Sequence, residues 1–255
     1  MQLFDTHAHY DAEQFDADRG ELLAALPQNG VALVVNPGCD IPTSRTAVEL
    51  ADRYDYLYAA VGYHPESCAP YRAEELDLLR EMAKHEKVVA IGEIGLDYYW
   101  EENPPKELQM EVFRAQMALA RELNLPVIVH DREAHADSLA VVKEFPEVKG
   151  VFHCFSGSAE MAKELVKLGW MISFTGVLTY KNARKAVEAS EAVPIESIMI
   201  ETDAPYMAPV PHRGKRCDSS LVVHTCERLA EIKGITAEEC ARITMENGKR
   251  FFGIK

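Results

Sequence analysis

The chain has 255 residues, is 47% hydrophobic and carries a formal net charge of −14. That length buries a sizeable core without disulfide or metal staples, and suits ordinary domains or a single α/β barrel. So acidic a chain repels polyanions at long range, which argues against tight nonspecific duplex binding; phosphodiester chemistry inside a site with metal ions and a local basic loop stays open.

Short apolar runs alternate with amphipathic stretches from one end to the other. The predicted strands are Leu3–His7, Val31–Asn36, Leu57–Gly62, Val88–Glu93, Val127–His130, Val151–Phe155, Met171–Phe174 and Ile198–Glu201. They are rich in Val, Ile and Phe and mostly unalternated, as parallel strands buried on both faces are. Helical spacing of apolar residues marks Ala73–His85, Glu107–Leu123, Asp137–Phe145, Ala159–Leu168 and Asn182–Ser190. Two more helices close the chain, near Leu221–Lys233 and Thr236–Phe251, with Gly234 as a stop. Eight βα units without a polar linker predict a single (β/α)8 TIM-like barrel in one domain, 1–255. A doubly wound sheet is the competing topology, but no G-x-G-x-x-G or Walker loop follows any strand.

No run of about 18 apolar residues occurs, so no membrane span is expected. Met1-Gln2-Leu3-Phe4-Asp5 shows neither a charged n-region nor an apolar h-region, and the expected location is the cytoplasm. Cys39, Cys68, Cys154, Cys217, Cys226 and Cys240 form no C-x-x-C pair and read as reduced thiols. No coiled coil or obvious patch points to a protein partner.

In a barrel the working face lies at the C-terminal ends of the strands. His7 and His9, in Asp5-Thr6-His7-Ala8-His9, end the first strand and share one face if the strand continues through them. Alone, such a pair fits hydrogen-bonded histidines as well as metal ligands. Recurrence decides: Glu93 ends the fourth strand, His130 the fifth, His153 lies in the sixth, and Asp203 follows the eighth. Four imidazoles and two carboxylates exceed the needs of one tetrahedral ion. They suit two ions about 3.5–4 Å apart, with Glu93, midway in strand order, as the bridge. Zn²⁺ or Mn²⁺ matches mixed N/O ligation better than Mg²⁺ does. Asp203 is placed to ligate an ion and to orient or deprotonate the attacking water.

Other polar groups fall on the same face. His64 contacts substrate or braces its loop. Arg132 pairs with a substrate phosphate or a nearby carboxylate. Arg213 is the best phosphate clamp, because guanidinium binds phosphate in a bidentate way. Lys215 reads as solvated loop, Arg216 is either solvated or part of the phosphate-holding basic loop, and Glu201 reads as a brace for a ligand histidine. Tyr98, Tyr99 and Trp100 offer a pocket wall that would stack on a base, with at least one of them packed in the core. Cys154, turned from His153 by strand alternation, reads as packing. His85, His135 and His224 read as surface residues.

Several segments carry a family resemblance: FDTHAHYD at 4–11, VGYHPE at 61–66, AIGEIGLDYYW at 90–100, LPVIVHDREA at 125–134, VFHCFSGS at 151–158, ETDAPYMAP at 201–209, RGKR at 213–216 and ENGKRFFGI at 246–254. Across its whole length the chain resembles the TatD-type metal-dependent deoxyribonucleases of the amidohydrolase superfamily. The resemblance implies a TIM-like barrel with one or two divalent ions and ligands at His7, His9, Glu93, His130, His153 and Asp203. It also implies a nuclease supported by Mg²⁺ or Mn²⁺, several members being 3′-to-5′ exonucleases on single-stranded DNA. The pattern departs after the basic loop, where Cys217 replaces the usual Asn and Ser219 the usual Pro. The missing Pro predicts a looser start to the next helix, and the missing amide an altered loop or substrate contact.

The alternative is a metal-dependent hydrolase of a small ester, amide or phosphoester, which the acidic charge suits. Glu93 in place of a lysine argues against a carbamate-bridged centre. A metal-stabilised binding protein without catalysis fits poorly with a full ligand set plus the candidate base Asp203.

Overall fold

A computed structural model describes residues 1–255. Its eight strands are β1 (Leu3–Asp5), β2 (Val31–Pro37), β3 (Leu57–Val61), β4 (Val88–Asp97), β5 (Val127–Arg132), β6 (Gly150–Phe152), β7 (Met171–Phe174) and β8 (Ile198–Ile200). They form one sheet in chain order, and the pairs β1–β2, β3–β4, β4–β5, β5–β6 and β7–β8 are parallel. The helices are α1 (Arg19–Ala25), α2 (Ile41–Arg53), α3 (Glu75–Met82), α4 (Lys106–Leu123), α5 (His135–Glu144), α6 (Ala159–Lys167), α7 (Arg184–Ala192), α8 (Val222–Lys233) and α9 (Ala237–Phe252). None is long and apolar enough to cross a membrane. All six cysteines are free thiols.

Chain contacts divide the molecule into two compact units, Pro37–His153 and the pair of segments Met1–Asn36 and Cys154–Lys255. In the first of these, β4 is buried at all ten positions, which is why its sequence shows no polar alternation. Its register against β5 shifts between Ile91 and Ile94. Glu93 lies in that irregularity, and its N–H donates to the Gly38 carbonyl at 2.9 Å instead of to β5. Such a break re-aims the side chain it carries. Gly95, at φ 139°, lies opposite His130, and a Cβ there would collide with the His130 carbonyl. A side chain at Gly95 would therefore push β5 away.

Helix α4 holds the segment after β3 and the end of β4 through two buried amides on one face, two turns apart. Gln116 accepts from the Tyr63 N–H at 2.7 Å and donates to its carbonyl at 3.0 Å. Gln109 does the same for Asp97, at 2.9 and 3.0 Å. These bonds satisfy strand-end groups that water does not reach.

In the other unit, the buried Asp5 carboxylate ties β1 to the segment after β8. It accepts from the Thr202 N–H at 2.9 Å, the Thr202 hydroxyl at 2.6 Å and the His7 N–H at 3.3 Å. Burial pushes Asp5 up to about 7 against these bonds and one from Ser219. Asp5→Ala strands several buried donors, each costing about 1–3 kcal/mol. We expect urea unfolding to show a loss of about 3 kcal/mol; a change below about 1 kcal/mol would mean water replaces the carboxylate.

Several boundaries differ from expectation. The first strand stops at Asp5, so His7 and His9 lie beyond it, and strand alternation does not orient them. The fourth runs on to Asp97, which puts Glu93 inside it instead of at its end, and the fifth continues to Arg132. The sixth ends at Phe152, leaving His153 just outside. Cys154 is at φ 43°, so its placement, with Sγ 3.6 Å from the Thr175 hydroxyl, owes nothing to alternation. Helices α1 and α2 are not among the predicted helices. Leu23 is the buried residue of α1, and α2 buries Ser44, Ala47 and Ala51 beside Ile41 and Leu50.

Candidate metal centre

One set of ligand-type groups lies in the Pro37–His153 unit, around Glu93, which is 2% exposed. Three imidazole nitrogens approach the same oxygen, Glu93 Oε1: His153 Nε2 at 2.7 Å, His130 Nδ1 at 3.0 Å and His64 Nε2 at 3.3 Å. Ligand atoms of His64, Glu93 and His130 all lie within 4.8 Å of one another, close enough for one ion. The His64 and His130 rings meet edge to face, centroids 4.3 Å apart. Burial, only partly offset by Glu93, lowers the His64 pKa. For His130 burial also disfavours the charge, but hydrogen bonds to Asp97 and Glu93 outweigh it and raise the ring to about 9.

Asp97 is a candidate site residue that the sequence reading missed. It is fully buried, and its Oδ2 holds His130 Nε2 at 2.9 Å. Burial would raise its pKa, yet the His130 bond, the Tyr99 N–H and the charge of Arg132 carry it below the usual carboxylate range. A signal was present: Glu93, Gly95 and Asp97 alternate along one strand, so they share a face once the strand is seen to continue. A carboxylate on the far nitrogen of a ligand histidine sets ring orientation and basicity. Asp97→Asn is therefore expected to weaken metal affinity or turnover about 10–100-fold, read by chelator competition. Values within twofold of the parent would remove Asp97 from this role.

The other set, in the unit formed by Met1–Asn36 and Cys154–Lys255, comprises His7, His9 and Asp203. The segment after β1 pairs with the segment after β8: Thr6 N–H to Ile200 C=O at 3.2 Å, Asp203 N–H to His7 C=O at 2.9 Å, His9 N–H to Ala204 C=O at 2.7 Å. This pairing, and not a strand, aims the two rings. Their Nε2 atoms lie 3.0 Å apart, with Asp203 Oδ1 3.8 Å from His7 Nε2 and 3.5 Å from His9 Nε2. Two buried imidazole nitrogens that close either share a proton or face a cation. Asp203 sits at φ 59°, a left-handed conformation that costs energy for a non-glycine residue and recurs at functional sites. Imidazole nitrogens and carboxylate oxygens, converging tightly within each set, are the donor types that zinc and manganese take.

Arg132 lies over the Tyr99 ring, 4.0 Å from its centroid, and 5.4 Å from that of Trp100. Arg213 is exposed and stacks 4.3 Å from the Tyr180 ring centroid. Arg216 is not simply solvated: it grips Asp18 through two bonds of 2.8 and 2.6 Å and donates to the Gln14 carbonyl. Glu201 accepts from the Cys154 N–H and the Ser173 hydroxyl, each at 2.6 Å. The start of the helix after the basic loop is held, not loosened. Ser219 N–H donates to the Tyr10 hydroxyl at 2.9 Å, and that hydroxyl bonds Ser219 Oγ at 2.7 Å. A proline has neither group to offer, so serine substitutes a different anchor. Cys217 is buried, and burial pushes its thiol up.

A family model described as TatD related DNase matches residues 4–253. The chain belongs to this family. A Bacillus subtilis relative, the uncharacterized metal-dependent hydrolase YabD, is 47% identical over 254 residues, covering 99% of both chains. A Citrobacter koseri relative, named a 3′-5′ ssDNA/RNA exonuclease TatD, is 33% identical over 261 residues, again with 99% of each covered. Among solved structures, the TatD homolog YJJV of Escherichia coli is 32% identical with a TM-score of 0.91, over 99% of this chain and 98% of that one. This TatD-family chain is a metal-dependent hydrolase, and its fold class is the (β/α)8 barrel.

Proposed function

We propose that the protein is a deoxyribonuclease acting as a 3′-to-5′ exonuclease on single-stranded DNA. The observation that carries this reading is the buried Glu93 oxygen with three imidazole nitrogens within 3.3 Å, in a chain of the TatD-related DNase family. The name of the Citrobacter koseri relative supports the substrate and polarity. In this reading residues 1–255 act as one cytoplasmic catalytic domain, and His7, His9, Glu93, His130, His153 and Asp203 hold one or two divalent ions of Mg, Mn or Zn.

A bound divalent ion supplies Lewis acidity and makes a water acidic near neutral pH. Asp203 accepts a proton from the attacking water. The water oxygen bonds phosphorus, the P–O bond to the leaving nucleoside oxygen breaks, and that oxygen takes up a proton from solvent or from protonated Asp203. His64, Arg132 and Arg213 hold the phosphate, the two guanidinium groups matching its oxygens in pairs. The net charge of −14 favours a second reading, hydrolysis of a small ester, amide or phosphoester by the same residues.

End-labelled single-stranded DNA, incubated with Mg²⁺, Mn²⁺ or Zn²⁺, separates the two. Stepwise shortening by the parent protein and none by Glu93→Ala or Asp203→Ala supports the nuclease. Intact DNA with every metal, despite bound metal by elemental analysis, overturns it in favour of the small-substrate reading.

A further inference from the structure

The segment after β4 exposes two large aromatic side chains side by side. Tyr99 is 51% exposed and Trp100 44%, while the chain's other tryptophan, Trp170, is 2% exposed. The two rings meet edge to face, centroids 4.6 Å apart, and the Arg132 guanidinium lies over Tyr99. Contiguous exposed apolar surface is where interaction sites are found. The segment is also held firmly. Tyr98 N–H donates to the Arg132 carbonyl, and Tyr99 N–H to Asp97 Oδ1, both at 2.9 Å. Asn103 donates to Asp97 Oδ1 at 3.0 Å. The same carboxylate holds His130 Nε2 through its other oxygen. Asp97 therefore registers the aromatic pair against the histidine two residues before Arg132 on β5.

We propose that Tyr99, Trp100 and Arg132 form a stacking platform for an unpaired nucleobase of the substrate strand, an assignment that rests on the nuclease reading. A ring stack accepts every base, so the platform selects single strands without reading sequence. A stacked guanidinium keeps its N–H edge available to the neighbouring phosphate. Glu101 and Glu102 follow directly along the chain, so attraction here comes from stacking and not from net positive charge. Its contribution therefore survives added salt, unlike a phosphate contact.

The test compares two octamers of equal charge on the metal-loaded protein: phosphorothioate-linked thymidylate, which resists hydrolysis, and its abasic counterpart. Thymidylate is expected to quench Trp100 emission saturably and to bind roughly tenfold more tightly than the abasic strand, a ratio kept at high salt. Trp100→Leu, followed by anisotropy of a labelled strand, is expected to bring that ratio close to one. Its thermal midpoint should stay near that of the parent, because Trp100 is half exposed. Equal binding of the two octamers, or an unchanged ratio in Trp100→Leu, overturns the platform. The nuclease reading is judged separately with ordinary thymidylate. Cleavage without a base-dependent ratio defeats only the platform, and a base-dependent ratio without cleavage defeats the nuclease reading and leaves Tyr99, Trp100 and Arg132 as a surface for single strands that are bound but not cut.

Discussion

Glu93→Gln is expected to abolish turnover to within about a thousandth of the parent rate and to empty much of the metal content after dialysis. The substitution keeps the size and one oxygen of the side chain, so the buried pocket around it is filled. What goes is a negative charge, 2% exposed, on which His64, His130 and His153 converge. Metal-derived charge stabilisation of several kcal/mol, about 4 here, corresponds to about a thousandfold in rate. Elemental analysis and turnover are read on the same sample. Retention of metal together with activity within tenfold of the parent would show that Glu93 only orders the histidines.

The second large effect is expected at Asp203. Asp203→Asn tests its role as proton acceptor with little disturbance of the chain. Asparagine tolerates the left-handed backbone that Asp203 adopts at φ 59°, and the Asp203 N–H bond to the His7 carbonyl does not involve the side chain. The amide oxygen can still face His7 and His9, but it accepts no proton from water at neutral pH. Loss of a positioned general base costs about 10²–10⁴ in rate. We expect kcat to fall by that range, with the unfolding midpoint near that of the parent. A drop in metal content equal to the drop in rate would instead make Asp203 a ligand only.

Much of the candidate centre was legible because each ligand-type residue follows an apolar run that reads as a strand on local composition alone. His130 at the close of Val127–His130 and Asp203 after Ile198–Glu201 are examples. Asp97 was not legible, because the strand looked finished at Glu93, where a register shift and glycines on either side break the β pattern. His7 and His9 were found by spacing for a reason that did not hold. They are aimed by pairing with the chain after β8, not by alternation within a strand. The Arg216 ion pair was not legible, because its partner, Asp18, is 198 residues away.

By itself the sequence determined the alternation of buried parallel strands with amphipathic helices, the eight-unit count and the residue types offered at the strand ends. These depend on apolar periodicity, a property of neighbouring residues. Only the tertiary structure decided which atoms meet: three imidazoles on Glu93 Oε1, and Asp97 between His130 and the aromatic loop. It also decided that Ser219 anchors Tyr10 across 209 residues of chain. Such contacts follow from strand register and loop course across distant segments, where a shift of one residue exchanges the partner while leaving the local pattern unchanged.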